Sequence, residues 1–222
     1  MLSRCRGVVR SSIGAKALMA LSGLLLIGFV ILHVAGNLSL YADTTGEHFD
    51  AYAQKLDDFG PIKLLAEVGL LALFAGHIAL GMRTAMENRE ARPERYKDLA
   101  PKGDRTWSSM TMIATGCVVL VFLIIHILDF RFAARDPGGL AAMVVRRLSA
   151  PLGAGVYIVG VTLLGVHLYH GFQSLTQTLG VRNVRYAGLI KTVGTVLAFG
   201  LGAAFASFPI CCILWHGKWP WS

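Results

Sequence analysis

The chain has 222 residues, of which 55% are hydrophobic and only 15% are charged. A water-soluble domain of this length does not need so much apolar material for its core, so the composition indicates an integral membrane protein. The formal net charge of +8 does not indicate nucleic-acid binding, because the basic residues sit at the ends of apolar stretches instead of along one polar face.

Five apolar stretches approach or exceed the length of about 20 residues that a membrane-spanning helix needs. They predict transmembrane helices at about residues 14–41, 62–88, 105–132, 148–180 and 188–215. The first span is too long for a signal peptide and is followed by no small-residue cleavage site. A polar segment with apolar residues near helical spacing, Gly46 to Phe59, predicts a short surface helix after it. The predicted fold is therefore all-α, with residues 1–222 forming one membrane domain of five transmembrane helices.

The charges between the spans predict the orientation of the chain. Basic residues crowd the N-terminus and the segment between the second and third spans, whereas the segment between the first and second spans is acidic. Basic segments stay on the cytoplasmic side of a membrane. The N-terminus is therefore predicted to be cytoplasmic and the C-terminus external, although the four arginines after the third span run against this pattern.

Five of the seven histidines lie inside apolar spans, on four different helices, where polar side chains are candidates for function. A single intramembrane histidine is equally well explained by a hydrogen bond to a neighbouring helix. Four helices that each carry an intramembrane histidine favour a bound cofactor that the histidines share. Neutral imidazole is a good iron ligand and a six-coordinate b-type haem takes two, so the pattern predicts two haems.

The depth of each histidine suggests how they pair. At about 1.5 Å per residue, His33 and His126 lie toward the outer surface, so we expect them to form one pair. The same count separates His77 and His167 as a second, inner pair. The fourth span is longer than a bilayer, so its residue count defines the depth of His167 less closely. His170 competes with His167, because two residues three apart share one side of a helix.

Two glycines accompany the inner histidines, since Gly81 follows His77 by four residues and Gly171 follows His167 by four. A flat macrocycle against a helix requires missing side chains beside its ligand, and these positions share a face with it. The alternative is that small residues simply allow close packing of membrane helices.

Glu67 is the one carboxyl group far inside a span, and it suggests a quinone site or a proton-transfer group. The alternative is that its side chain extends toward the outer interface, where Lys63 lies one helical turn away.

Several passages that run through nearly the whole chain point to one family. They are SIGAKALMALSGLLLIGFVILHVAGNLSL from Ser12, AEVGLLALFAGHIALG and ENREARPERY within Phe49 to Lys97, FLIIHILDF around His126, and VHLYHGFQSLTQTLG from Val166. Together they resemble the single-chain di-haem cytochrome b (b558-type) membrane anchor subunit of succinate dehydrogenase and fumarate reductase.

The resemblance implies that His33 and His126 are the axial ligands of an outer, distal haem and that His77 and His167 ligate an inner, proximal haem. It favours His167 over His170, because the family ligand precedes the glycine by four residues. Ser22, Arg83 and Ser174 are further candidates for contacts with haem propionates or quinone, although the family's residues for these contacts do not align cleanly here.

The resemblance also implies partners: a flavoprotein subunit with FAD and an iron–sulfur subunit, both on the cytoplasmic face of a bacterial inner membrane. Electrons would pass between these subunits and a membrane quinone, often menaquinone, while the dicarboxylate site lies on another chain.

Two alternative functions stay open. One is the di-haem subunit of another quinone-linked enzyme, such as a hydrogenase or formate dehydrogenase, and the other is a haem-free transporter whose histidines relay protons or bind substrate. The sequence does not fix the direction of electron flow, proton coupling, the haem potentials or the oligomeric state, and a higher oligomer of the complex is compatible with it.

Overall fold

The structure is a computed structural model that describes residues 11–43, 45–90, 107–181 and 184–214. In this part of the chain the fold is all-α, as predicted, and it has no strand. The seven helices are α1 (Ser12–Asn37), α2 (Glu47–Asp57), α3 (Pro61–Glu90), α4 (Trp107–Phe130), α5 (Gly139–Ser149), α6 (Pro151–Thr178) and α7 (Ala187–Leu214). Short 3-10 turns follow α1 at Leu38–Tyr41 and precede α7 at Val184–Tyr186.

Five of these helices, α1, α3, α4, α6 and α7, are long and apolar enough to cross a membrane. Below, the end of the bundle that holds the start of α1 is called the inner end and the opposite end the outer end, following the predicted orientation. That orientation stays a prediction, as does the description of residues 1–222 as one membrane domain.

Local sequence explains where the helices begin. The Ser11 side chain accepts a hydrogen bond of 2.9 Å from the Gly14 amide and so caps α1. Pro151 occupies the first turn of α6, after an extended Ala150, because proline lacks the N–H group that a helix start leaves unpaired. The fourth predicted span began at residue 148, but residues 148 and 149 belong to α5.

Helix α6 lies at the centre of the bundle, packing against α1, α4, α5 and α7. Ile27 of α1, Leu168 of α6 and Ala198 of α7 form one buried core between three helices. At Gly165 an added Cβ would lie 3.2 Å from the Ala198 carbonyl oxygen, so the α6 and α7 backbones approach closely there. Helix α3 packs mainly on α1.

Helices α2 and α5 cover the outer end. A second core forms there from Leu40, Phe49, Ala141, Val144, Leu148, Tyr157, Phe208 and Cys212. The Asp50 carboxylate of α2 accepts a 2.9 Å hydrogen bond from the Ala141 amide in the first turn of α5, where a helix presents unpaired N–H groups.

Ion pairs connect the helix ends at this surface. Asp57 binds both Lys63 and Arg135, so the corner between α2 and α3 is tied to the segment after α4. The hydrogen bond from Lys63, followed by that from Arg135, lowers the pKa of the Asp57 carboxyl below its usual value. This carboxyl is therefore ionised at neutral pH and remains paired.

Candidate haem sites

The structure brings His33 on α1 and His126 on α4 together toward the outer end of the bundle. Their ring centroids are 5.7 Å apart and their planes cross at 83°. Phe29 stacks on His33 at 5.4 Å, and Phe122 lies 6.1 Å from His126. The other rings around the pair are Phe205, Phe130 and Tyr157. These side chains exclude water from the space around two imidazoles.

The inner histidines each lie against a neighbouring helix at a hydroxyl group. His77 of α3 faces α1, where its Nδ1 is 3.0 Å from Ser22 Oγ. His167 of α6 faces α4, where its Nδ1 is 3.3 Å from Thr115 Oγ1. His33 and His126 are thus in ring contact, and His77 and His167 contact α1 and α4 ten residues before them. The outer combination (His33, His126) and the inner combination (His77, His167) stay predictions as ligand pairs of two haems.

The hydrogen bonds around His77 indicate which ring nitrogen carries the proton. Ser22 Oγ donates to the Met19 carbonyl at 2.9 Å, which leaves its oxygen to accept a hydrogen bond from His77 Nδ1 at 3.0 Å. In this arrangement Nδ1 carries the ring proton and Nε2 keeps its lone pair. Nε2 is then the nitrogen that a metal would use.

His167 repeats this arrangement on the other helix pair. Thr115 Oγ1 donates to the Thr111 and Met112 carbonyls at 2.9 and 3.0 Å, which leaves its oxygen to accept a hydrogen bond from His167 Nδ1 at 3.3 Å. The Nδ1–H group of His167 therefore points to α4, and its Nε2 keeps a lone pair as well.

His170 is held differently from His167. Its Nε2 is 3.0 Å from Thr111 Oγ1, and the residue is only 9% exposed. Its Nδ1 has no hydrogen-bond partner among the described residues. Two successive threonine–histidine contacts therefore connect α4 to α6. Thr115 contacts His167, and Thr111 contacts His170 one turn nearer the inner end.

Glycines lie against both inner imidazoles, on the helices that face them. A Cβ added at Gly23 of α1 would be 3.3 Å from His77 Cε1, and one added at Gly116 of α4 would be 3.3 Å from His167 Cε1. A larger side chain at either position would displace the ring. At Gly81 the nearest atom to an added Cβ is Met19 Sδ, at 3.9 Å, and at Gly171 nothing lies within 4 Å.

The remaining candidates lie elsewhere in the bundle. Glu67 binds Arg131 at 3.0 Å and Lys63 at 3.6 Å, and its side chain is 33% exposed. This geometry agrees with the outer-interface alternative for Glu67. Arg83 binds Glu87 at 2.7 Å, one turn along α3, and Ser174 is half-buried on α6.

The residues present fit haem better than a free metal ion. Among the described residues there is no group of three or more His, Cys, Asp or Glu side chains that could hold a metal ion. The histidines come in twos, and two axial ligands suffice for an iron whose other four ligands are porphyrin nitrogens. Helix α3 carries His77 and helix α4 carries His126. In the most apolar stretch of these two helices, 0% and 6% of the residues are buried inside the chain. Apolar surface is therefore available beside the ligands.

Sequence reasoning missed Thr111, Thr115, Gly23 and Gly116, and it found no convincing internal repeat. The structure shows why a repeat matters. Five residues of α1 recur in α4 at a constant spacing of 93 residues: Met19 and Met112, Ser22 and Thr115, Gly23 and Gly116, Phe29 and Phe122, His33 and His126. His77 and Gly81 recur 90 residues later as His167 and Gly171. This register is the signal that would have found the missed residues.

Five long apolar helices, four of which carry histidines inside them, define the chain as an α-helical integral membrane protein. The model of the succinate dehydrogenase/fumarate reductase transmembrane subunit family matches residues 88–202, more than half of the chain. The protein belongs to this family.

The chain is also similar to the succinate dehydrogenase cytochrome b558 subunit of Bacillus subtilis (strain 168). The two are 27% identical over 200 residues, which cover 86% of this chain and 95% of the relative. No solved structure matches the chain significantly.

Proposed function

We propose that this chain is the membrane anchor and di-haem electron-transfer subunit of a succinate:quinone oxidoreductase. The observation that carries the proposal is the presence of two histidine combinations at two levels of one bundle. His77 lies against Gly23, ten residues before His33 on α1, so the two levels are about 15 Å apart along that helix. Two redox centres stacked in this way provide a path for electrons through the membrane.

The positions of the histidines support the choice of axial ligands. His33 and His126 would hold the iron of the outer haem, and His77 and His167 that of the inner haem. Each bound haem b supplies one-electron redox chemistry. Ser22 and Thr115 would orient the inner imidazoles through Nδ1, and the aromatic rings at the outer level would shield the outer imidazoles.

Membership of the family supports the assembly that we propose around this chain. A flavoprotein subunit with FAD and an iron–sulfur subunit would dock on the cytoplasmic face of a bacterial inner membrane, and the dicarboxylate would react there. This chain would exchange electrons between the iron–sulfur subunit and a membrane quinone, which we propose to be menaquinone. The name of the Bacillus subtilis relative, a succinate dehydrogenase cytochrome b558 subunit, supports the haem and the enzyme.

Haem content tests the proposal directly. The purified complex should contain about two haems b per copy of this chain in a reduced-minus-oxidised spectrum with pyridine haemochrome quantification. His77→Ala and His167→Ala should each remove the inner haem, and His33→Ala and His126→Ala the outer one. His170→Ala is the matched control on α6 and should keep both.

Three outcomes would count against the proposal. A colourless protein would favour the haem-free transporter, and unchanged haem content in both His77→Ala and His167→Ala would remove the inner assignment. Co-purification with a hydrogenase or formate dehydrogenase subunit would replace succinate dehydrogenase as the enzyme.

A further inference from the structure

The two inner imidazoles have matching surroundings. Each contacts a helix through one hydroxyl and the glycine that follows it, within M-x-x-S-G on α1 and M-x-x-T-G on α4. The hydroxyls of Ser22 and Thr115 both donate to carbonyls of their own helix, three or four residues earlier. Each hydroxyl oxygen is then left to accept a hydrogen bond from the imidazole.

This arrangement is confined to the inner level in the part of the chain that the structure describes. The outer imidazoles of His33 and His126 lie among aromatic rings. The nearest polar side chain to His33 is Asn37, whose Nδ2 is 3.4 Å from Nε2 and donates its shorter bond, 2.7 Å, to the His33 carbonyl. The hydroxyl contacts therefore distinguish the inner level from the outer level.

Both hydroxyls are buried. Ser22 is 8% exposed and Thr115 is 7% exposed, in helices whose other surfaces are largely apolar. A hydroxyl can satisfy itself within its own helix, as these do, so helix formation alone does not require an imidazole partner. A side-chain acceptor at Nδ1 does change the ligand, because it orients the ring and raises the electron-donating power of Nε2.

We propose that Ser22 and Thr115 are positioning residues for the inner haem. Their hydroxyls accept hydrogen bonds from Nδ1–H of His77 and His167, and these bonds lower the reduction potential of the inner haem relative to a site without the hydroxyls. The inference rests on the proposed function, since it requires a haem between His77 and His167.

The test is a redox titration of the haems in the purified complex carrying Ser22→Ala, Thr115→Val or both. Each single variant should keep about two haems per chain, and the midpoint potential of one haem should shift upward. The same haem should move in both variants, further in the double variant, and it should be the haem that His77→Ala removes. The second haem should keep its potential.

Two kinds of control separate positioning from a general structural effect. Thr162→Val removes a hydroxyl on α6 that bonds to the Ile158 carbonyl of its own helix, at 2.7 Å, and it should leave both potentials unchanged. Ser22→Thr and Thr115→Ser keep a hydroxyl and should restore the wild-type potential. The g-values of the ferric inner haem in electron paramagnetic resonance should change in Ser22→Ala and Thr115→Val and be normal in the controls.

The results distinguish failure of this inference from failure of the proposed function. Wild-type complex without haem would overturn both. Two haems with unchanged potentials and g-values in the double variant would overturn the positioning role and leave the axial ligands intact. If the double variant does not assemble, the single variants decide: a shift no larger than that of Thr162→Val would contradict the inference.

Discussion

At the scale of single residues, the inner site depends as much on what is missing as on what is present. The imidazoles of His77 and His167 lie so close to Gly23 and Gly116 that an added Cβ at either glycine would be 3.3 Å from the ring. Glycine is otherwise unfavourable in a helix, by about 0.5–1 kcal/mol relative to alanine. Two glycines that contact imidazoles in the same way on α1 and α4 indicate a requirement of the site, since helix formation does not favour them.

Replacement of Gly23 should therefore affect the inner haem and not the helix. In Gly23→Leu the Cβ would lie 3.3 Å from His77 Cε1 and the remaining side chain would displace the ring. We expect haem content to fall by about half, because one of two haems loses a ligand. Haem quantification on the purified complex is the measurement.

Gly28→Leu is the matched control for this prediction, five residues along the same helix. Nothing lies within 4 Å of a Cβ at Gly28, so this variant should keep both haems. Equal haem loss in the two variants would show that α1 fails for a reason unrelated to His77.

At the scale of elements, the sequence predicts the five long helices and one of the two short helices between them: the helix expected within Gly46 to Phe59 is α2, whereas α5 was not expected. A run of about 20 apolar residues has few alternatives to a spanning helix, which is why all five spans correspond to long apolar helices. Helix α5 was not predicted, because it is short and follows a D-P-G-G turn, and only its last two residues fell within the fourth predicted span. Met143, Val144 and Leu148 are buried because α5 folds back over the outer end.

The sequence likewise indicated some residues of the candidate site and not others. Histidines inside apolar spans stand out because imidazole is costly there, and their spacing along the helices suggested two levels. Thr115 did not stand out, because a threonine that bonds to its own helix is common in membrane helices and carries no signal by itself. Only the 93-residue register with Ser22 marks it, and this register becomes convincing once the contacts of both residues are known.

One ion pair connects α5 to the bundle. Asp129 at the end of α4 accepts 2.8 Å and 2.9 Å hydrogen bonds from Arg147 Nε of α5 and the Tyr157 hydroxyl of α6. The Arg147 side chain is 33% exposed and that of Asp129 20%. Asp129→Asn should weaken this junction by about 1 kcal/mol, since charge-assisted bonds that are partly shielded contribute more than exposed pairs.

Thermal denaturation of the detergent-solubilised complex checks this prediction against Asp136→Asn. Asp136 pairs with Arg146, the neighbour of Arg147, at 2.6 Å, but the Arg146 side chain is 69% exposed. Exposed pairs contribute about 0–1 kcal/mol, so this control should unfold nearer to wild type. A larger destabilisation in Asp136→Asn than in Asp129→Asn would contradict the ranking.

At the scale of the whole molecule, the chain consists of two similar halves and one additional helix. Helices α1 and α3 form one half, and α4 and α6 repeat its residues in the same order. In each half the first helix supplies an outer histidine together with the hydroxyl and glycine that contact the inner histidine of the second helix. Each proposed haem takes one histidine from each half, so each haem would connect one half to the other.

The core of the chain does not depend equally on all of these helices. In the most apolar stretch of each helix, 39% of the residues are buried within the chain in α6 and 28% in α1, against 6% in α4 and none in α3. Helices α3 and α4 therefore bury little of their apolar surface within the chain, and bound haems would add van der Waals contacts to both of them.

Loss of haem should therefore loosen α3 and α4 selectively. In chain produced under haem limitation, we expect amide hydrogen exchange in detergent to rise most in α3 and α4 and least in the part of α6 packed on α7, because local opening follows the number of buried contacts. Reconstitution with haem should restore protection. A uniform rise across all five long helices would show instead that the bundle folds as one cooperative unit with haem, and unchanged protection would show that the helices are held together without it.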